Sequence, residues 1–227
     1  MKIVTTALIA CGFHSGNPKL MYKTLRMAKQ HGVSVGAHIG FPDLAGFGQR
    51  RILAAMEEVK ADILYQLGAL WAFCRVENMK LKYVKPHGGL YYLAVEDRNY
   101  ARAIVDAIYE FDPNLVFFVL PNSFMEECAL ERGLRFSREI FADRAFTPEG
   151  KLVPRNIQGA VITDPEKVSE RVLRMITEGR VECITGQDIE MSGETVCVHA
   201  HTPDATKIAA VLRSRLQSAG LEIKAIE

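Results

Sequence analysis

Six histidines punctuate the 227-residue chain, and five of them follow closely on an apolar or β-branched run. His14 comes after Leu8–Cys11, His38 after Val33–Gly36 and His87 after Leu81–Lys85; His199 and His201 come after Thr195–Val198. Only His31 lies elsewhere, at the expected end of a helix. Imidazole is the commonest ligand of a catalytic transition metal and the usual proton carrier near neutral pH. A single such histidine is well explained by a hydrogen bond to a loop. Five of them past strand ends point to a shared rim, because parallel α/β folds bind ligands where their strands end.

Other residue types with chemical potential lie close by in sequence. Lys85 ends an apolar run just before Pro86-His87-Gly88, where its ammonium could hold an anion or polarise a carbonyl. The alternative is a lysine that snorkels to the surface. The loop from Asp43 to Arg51 combines glycines, whose amides can face an anion, with Arg50 and Arg51, which can fork onto a carboxylate or phosphate. Asp143 and Arg144 follow a further strand, either as a substrate contact or as an internal ion pair. Cys11 and Cys197 read as small packing residues. Glycines cluster around the histidines at positions 12, 16, 36, 88 and 89, where sharp turns or close approach are expected.

The elements that must position these groups alternate between strand and helix. Expected strands cover Ile3–Cys11, Val33–Gly36, Lys80–Lys85, Leu115–Leu120, Leu134–Ile140, Val181–Ile184 and Thr195–Val198, with a terminal strand at Leu221–Ile226. Between them, Asn17-Pro18 opens one helix and Ala54–Glu77 and Leu90–Phe111 form two long ones. Ser123 with Glu126 reads as a capping box, Asp164-Pro165 starts another helix, and Thr202-Pro203 caps the last. Phe141–Ile157 is expected to be irregular. The alternation predicts an α/β fold with a parallel sheet in a single domain over residues 1–227. An open sheet and a closed barrel share this pattern. The absence of any Gly-x-Gly-x-x-Gly or P-loop run removes the main reason to favour the open one.

Composition narrows the function further. Lys and Arg number 28 against 27 Asp and Glu, so no basic field is available to hold a nucleic acid. No apolar run is long enough to span a bilayer, and the short Lys2–Ala10 stretch is a poor signal segment, so no membrane partner is expected. Five widely spaced cysteines form no CxxC pair and suit a reducing, cytoplasmic setting.

The motifs also resemble a known pattern. Ile9-Ala10-Cys11-Gly12-Phe13-His14, Gly36-Ala37-His38, Pro42-Asp43 with Gly46-Phe47-Gly48, and Lys85-Pro86-His87-Gly88 resemble, in order, those of the LamB/YcsF family. Phe141-Ala142-Asp143-Arg144, Leu152-Val153-Pro154-Arg155 with Gly159-Ala160, and Cys197-Val198-His199 continue the match over nearly the whole chain. The resemblance implies a distorted seven-stranded barrel of the glycoside hydrolase/deacetylase type. It implies the A-type component of a bacterial 5-oxoprolinase, which with B and C partner subunits opens 5-oxoproline to glutamate using ATP.

On that footing His38 and His87 would bind a divalent metal or the substrate carbonyl, and Lys85 would stabilise developing negative charge. Asp43, Arg50, Arg51, Asp143 and Arg144 would contact the small-molecule substrate, while His14 and His199 would act as ligands or proton carriers. Departures are visible too. The family usually begins with a strand bearing Asp-Leu-Asn-x-Asp-x-Gly-Glu, and this chain starts after that point. A barrel without its first strand and one rim carboxylate is therefore expected, with edges that a partner or a second copy would cover. Leu8 stands where Asn is usual, Gly89 for Ala, Phe146 for Tyr and His201 for Asp. Two rival functions follow: a stand-alone metal-dependent carbohydrate deacetylase, and a degenerate, non-catalytic barrel subunit.

Overall fold

A computed structural model describes residues 1–227. The chain gathers into two compact units, one of Met1–Val119 with Ser123–Phe136 and one of Leu120–Asn122 with Ser137–Glu227.

In the first unit β1 (Thr6–Ala10), β2 (Ser34–Ile39), β3 (Leu81–Pro86) and β4 (Val116–Val119) run parallel in that order. The register places Ala10 beside His38 and His38 beside Lys85, so the chemistry-bearing side chains share one row at the strand ends. The crossovers are α1 (Pro18–Gln30), α2 (Met56–Val76), and the pair α3 (Gly88–Glu96) and α4 (Arg98–Phe111). Asn17 caps α1 as expected, its side chain accepting from the Leu20 amide at 2.9 Å. The single helix expected over Leu90–Phe111 is broken at Asp97, whose carboxylate caps α4 through the Asn99 amide. Ala101, Ile104, Val105 and Ile108 bury one face of α4, each large aliphatic contributing about 1.5–3 kcal/mol. β4 is buried throughout, as its unbroken apolar run predicts. α5 (Phe124–Arg132) follows, and Ser123 makes no side-chain cap bond to it.

The second unit holds β5 (Phe136–Phe141), all but its first residue, and β8 (Thr195–Cys197) as a parallel pair, with Phe141 beside Cys197. α6 (Pro165–Thr177) starts under the cap of Asp164, and α7 (Ala205–Ser218) closes the chain. Two expectations fail here. Arg180–Glu182 (β6) does not join a parallel sheet. It pairs antiparallel with β7 (Asp188–Glu190) through a turn at Gly186, φ 85°, because only a few residues separate the two runs. Leu221–Ile226 forms no strand. The irregular stretch after β5 is pinned by isolated bridges, Arg144 to Val161 and Phe146 to Leu152.

Candidate functional site

Three of the strand-end histidines meet in the first unit. The turn after β1, closed by the Gly12 amide on the Ser15 carbonyl, delivers His14, which is buried. His38 lies within β2, and His87 follows β3 directly and sits at the start of α3. One ligand nitrogen from each of the three lies within 4.8 Å of the others. The His14 and His87 rings stack at 4.1 Å between centroids, and His38 meets His87 edge-on at 4.8 Å.

Hydrogen-bond chemistry decides which nitrogens are available. His38 Nδ1 lies 3.1 Å from the Lys85 carbonyl, and His87 Nε2 lies 2.8 Å from the Phe47 carbonyl. A carbonyl oxygen only accepts, so His38 Nδ1 carries its hydrogen, whereas His87 Nε2 also lies 3.1 Å from the Gln49 side-chain amide nitrogen, a donor. The His38 lone pair therefore falls on Nε2, which faces His87 Nδ1 at 3.0 Å. Without an ion His87 Nδ1 can donate across that gap; with its hydrogen on Nε2, against the Phe47 carbonyl, both facing nitrogens would offer lone pairs to a cation. Burial, then His87, Lys85 and His14 nearby, hold His38 well below the usual imidazole range. Burial and His87 bring His14 down to about 3. Its Nδ1 is buried with no hydrogen-bond partner. These imidazoles are therefore neutral at pH 7, the form that binds metal. Nitrogens of a tetrahedral site stand about 3.3 Å apart, given metal–nitrogen bonds of about 2.0–2.1 Å. His38 and His87 already approach that spacing, with His14 as a third donor. The residues present fit a three-histidine site for a divalent ion, and carbonyls orient two of the ligands from behind.

The loop after β2 is fastened to this cluster. Asp43 is buried and accepts from the Gly46 amide and from Arg50 Nε, both at 2.9 Å, and from Arg50 Nη2. Bonding to Arg50 brings its pKa down to about 2. Gly48 donates to the Asp43 carbonyl at 2.8 Å and accepts from the Gly89 amide at 2.7 Å. Its φ is 66°, and a Cβ there would stand 2.6 Å from His14 Cβ and 2.8 Å from His87 Cδ2. A Cβ on Gly89 would lie 2.0 Å from the Arg50 carbonyl. The glycines thus admit a loop against the histidines. Lys85 is buried beside them, and Arg51 turns away to Glu96 at 2.7 Å.

Gln66 was not legible as a site residue. Wholly buried on α2, it accepts from the Gly40 amide at 2.9 Å and donates to the Gly40 carbonyl at 3.0 Å. Gly40 borders His14 so closely that a Cβ would lie 2.5 Å from Nδ1. The available signal was a glutamine in the same buried stripe as Ile63, Leu67 and Leu70.

The second unit carries a different arrangement. Asp143, fully buried, lies 2.8 Å from His199 Nδ1 and accepts the Thr202 hydroxyl. Thr202, expected to cap the last helix, is engaged here instead, and Asp204 stands at the N-cap of α7. Arg144 is buried, and its guanidinium donates to the Ala160 carbonyl at 3.3 Å and to the Val153 carbonyl. His201 lies 5.4 Å from His199, ring to ring. Arg171, unremarked in the sequence, donates to the Phe141 and Ala142 carbonyls at 2.8 and 2.9 Å. Burial, only partly offset by Asp143, brings its pKa down to about 10. Burial pushes the Cys11 thiol up to about 12, in keeping with a packing role.

Parallel strands that end in an imidazole cluster define this as an α/β protein with a three-histidine donor set that could hold a metal ion. The LamB/YcsF family model matches residues 1–227, and the chain belongs to that family. A Thermus thermophilus protein, named as the A-type subunit of 5-oxoprolinase, is 48% identical over 223 residues, covering 98% of this chain and 89% of the relative. One of the same name from Pyrococcus furiosus is 46% identical, covering 98% and 88%. The crystal structure of a lactam utilization protein, also from Thermus thermophilus, superposes with a TM-score of 0.93 at 47% identity, covering 99% of this chain and 90% of that one. No helix is long and apolar enough to cross a membrane, and none of the five cysteines forms a disulfide.

Proposed function

We propose that this chain is the A-type component of a cytoplasmic 5-oxoprolinase that opens the cyclic amide of 5-oxoproline to glutamate, with ATP and B- and C-type partner subunits. The observation that carries the reading is the convergence of one ligand nitrogen each from His14, His38 and His87 within 4.8 Å, with His38 Nε2 and His87 Nδ1 3.0 Å apart. Relatives of nearly half identity over almost the whole chain, named for that activity, support 5-oxoproline as the substrate. His38, His87 and His14 would hold a divalent ion, which when bound supplies Lewis-acid polarisation of the lactam carbonyl. The buried Lys85 ammonium stabilises the negative charge that develops on that oxygen. Arg50, its side chain 66% exposed while tied to Asp43, is the cation best placed to take the substrate carboxylate. Arg51 and Arg144 are committed to Glu96 and to backbone carbonyls. His199 serves as the proton carrier.

The test is metal content of the purified chain, together with 5-oxoproline-dependent ATP hydrolysis after reconstitution with its partners. A stoichiometric divalent ion is expected, lost in a His38→Ala/His87→Ala double variant along with more than about 100-fold of the activity. Full activity in the double variant would sink the assignment. A stand-alone deacetylase is the second reading, favoured by one observation: the three histidines come from a single unit of this chain. Turnover of an N-acetylated sugar by the isolated chain, without ATP, would select it.

A further inference from the structure

Asp143 Oδ1 lies 2.8 Å from His199 Nδ1, while Oδ2 accepts the Thr202 hydroxyl and stands 3.4 Å from the His199 amide. The acid is fully buried, yet the bonds from His199 and Thr202 outweigh that burial and keep it below the ordinary carboxylate range. An ionised carboxylate can only accept, so Nδ1 bears the hydrogen and the ring's lone pair is confined to Nε2. The surroundings fix this orientation. The Thr202 amide closes a turn onto the His199 carbonyl at 3.1 Å, and the ring stacks on Phe141 at 5.6 Å. Arg171 clamps the carbonyls of Phe141 and Ala142, immediately before Asp143.

We propose that Asp143 is not a substrate contact but the positioning residue of His199: with Thr202 it locks the imidazole in its Nδ1–H form and presents Nε2 as the proton acceptor. A proton taken up at Nε2 gives an imidazolium whose Nδ1–H stays on Asp143, and the same proton leaves later from Nε2. The carboxylate remains ionised throughout. The charged neighbours within this unit are Arg144 and Arg155, which act on His201, and Arg171, which acts on Asp143. The inference rests on the proposed reading in that His199 carries the proton of that reaction.

The two donors at Oδ2 make Asp143→Asn informative. An asparagine must place its oxygen where Thr202 and the His199 amide donate, which turns its NH2 toward Nδ1. The amide would then donate to the ring and drive the hydrogen to Nε2, the wrong tautomer. Imidazole ¹⁵N NMR of the full chain reads this directly. Expected are Nδ1–H in the wild type and in Thr202→Val, which keeps the carboxylate, and Nε2–H in Asp143→Asn. A wild-type His199 in the Nε2–H form overturns the proposal.

Activity of the reconstituted complex separates this inference from the functional reading. With Asp143 as a positioning residue, kcat in Asp143→Asn falls roughly 100-fold or more while KM stays within about twofold. A raised KM at unchanged kcat overturns the positioning role, because that is what a substrate contact does. If neither His199→Ala nor Asp143→Asn changes turnover, it is His199 as proton carrier that fails, whatever the tautomer.

Discussion

The two units use the same side chain for opposite ends. In the first, His38 and His87 rest one nitrogen on a backbone carbonyl, at 3.1 and 2.8 Å. In the second, His199 rests its Nδ1 on a buried carboxylate at 2.8 Å. A carbonyl orients the ring without adding charge, so at His38, where desolvation dominates, the imidazole stays neutral, a ligand in waiting. A carboxylate orients the ring but also stabilises the imidazolium, which suits a group that must gain and lose a proton. The partner behind the ring, rather than the histidine itself, decides its chemistry.

The strongest way to break this comparison is to disturb the backbone behind one set of rings only. Gly48→Ala places a Cβ 2.6 Å from His14 Cβ at a φ of 66°, so both sterics and conformation oppose it. Expected is a loss of about 2–4 kcal/mol in unfolding free energy, read by urea denaturation, with loss of stoichiometric metal. The Asp143–His199 bond shares no residue with that loop, so its ¹⁵N signature should persist. If Gly48→Ala kept metal and stability, the loop would not be what holds the ligands.

Much of this contrast was legible in the sequence, and the limits have physical causes. Histidines past strand ends were readable because a parallel β-strand delivers whatever follows it to one edge. His14, His38 and His87 do converge there, and the register aligns His38 with Lys85. Their tautomers were not readable, since the neighbouring groups are the carbonyls of Phe47 and Lys85, which every residue carries, and the Gln49 amide, which only the folded loop brings to His87. Arg144 looked like a substrate cation because its charge is visible in sequence while its burial against Ala160 and Val153 is not. Thr202-Pro203 carried a helix-start signal, yet the hydroxyl found a stronger acceptor in Asp143. β6 and β7 escaped proper reading because runs of three residues carry too little periodicity to reveal their pairing.

A subtler perturbation reaches the same ligands from the helix layer. Gln66 satisfies both the amide and the carbonyl of Gly40, which borders His14 Nδ1. Gln66→Leu conserves volume but leaves two backbone groups buried without partners, costing about 1–3 kcal/mol for each. Metal affinity, read by competition with a chelator, should weaken by roughly tenfold, since only the wall behind a ligand moves. An unchanged affinity would show that Gly40 is held without Gln66.

The smallest effect sharpens the contrast from the side of the acids. In the first unit the buried carboxylate beside the histidine loop is Asp43, and it is spent on Arg50 and the Gly46 amide. Its pKa is about 2, against roughly 3.9 in an unfolded chain. The folded state therefore keeps its charge where the unfolded state takes up a proton. Its stabilising contribution is complete above about pH 4, declines as the pH falls toward 2, and is gone once both states are protonated. Asp43→Asn should lower Tm modestly at pH 7, because Arg50 is largely exposed and solvent screens the pair. The gap to wild type should narrow between pH 4 and pH 2. Thermal scans across that range check it: a gap that stays constant would mean that the loop is held by shape and backbone bonds rather than by the Asp43 charge. Asp43 would then be a scaffold residue of the loop, leaving the Asp143 charge, bonded to an imidazole, as the carboxylate with a part in proton transfer.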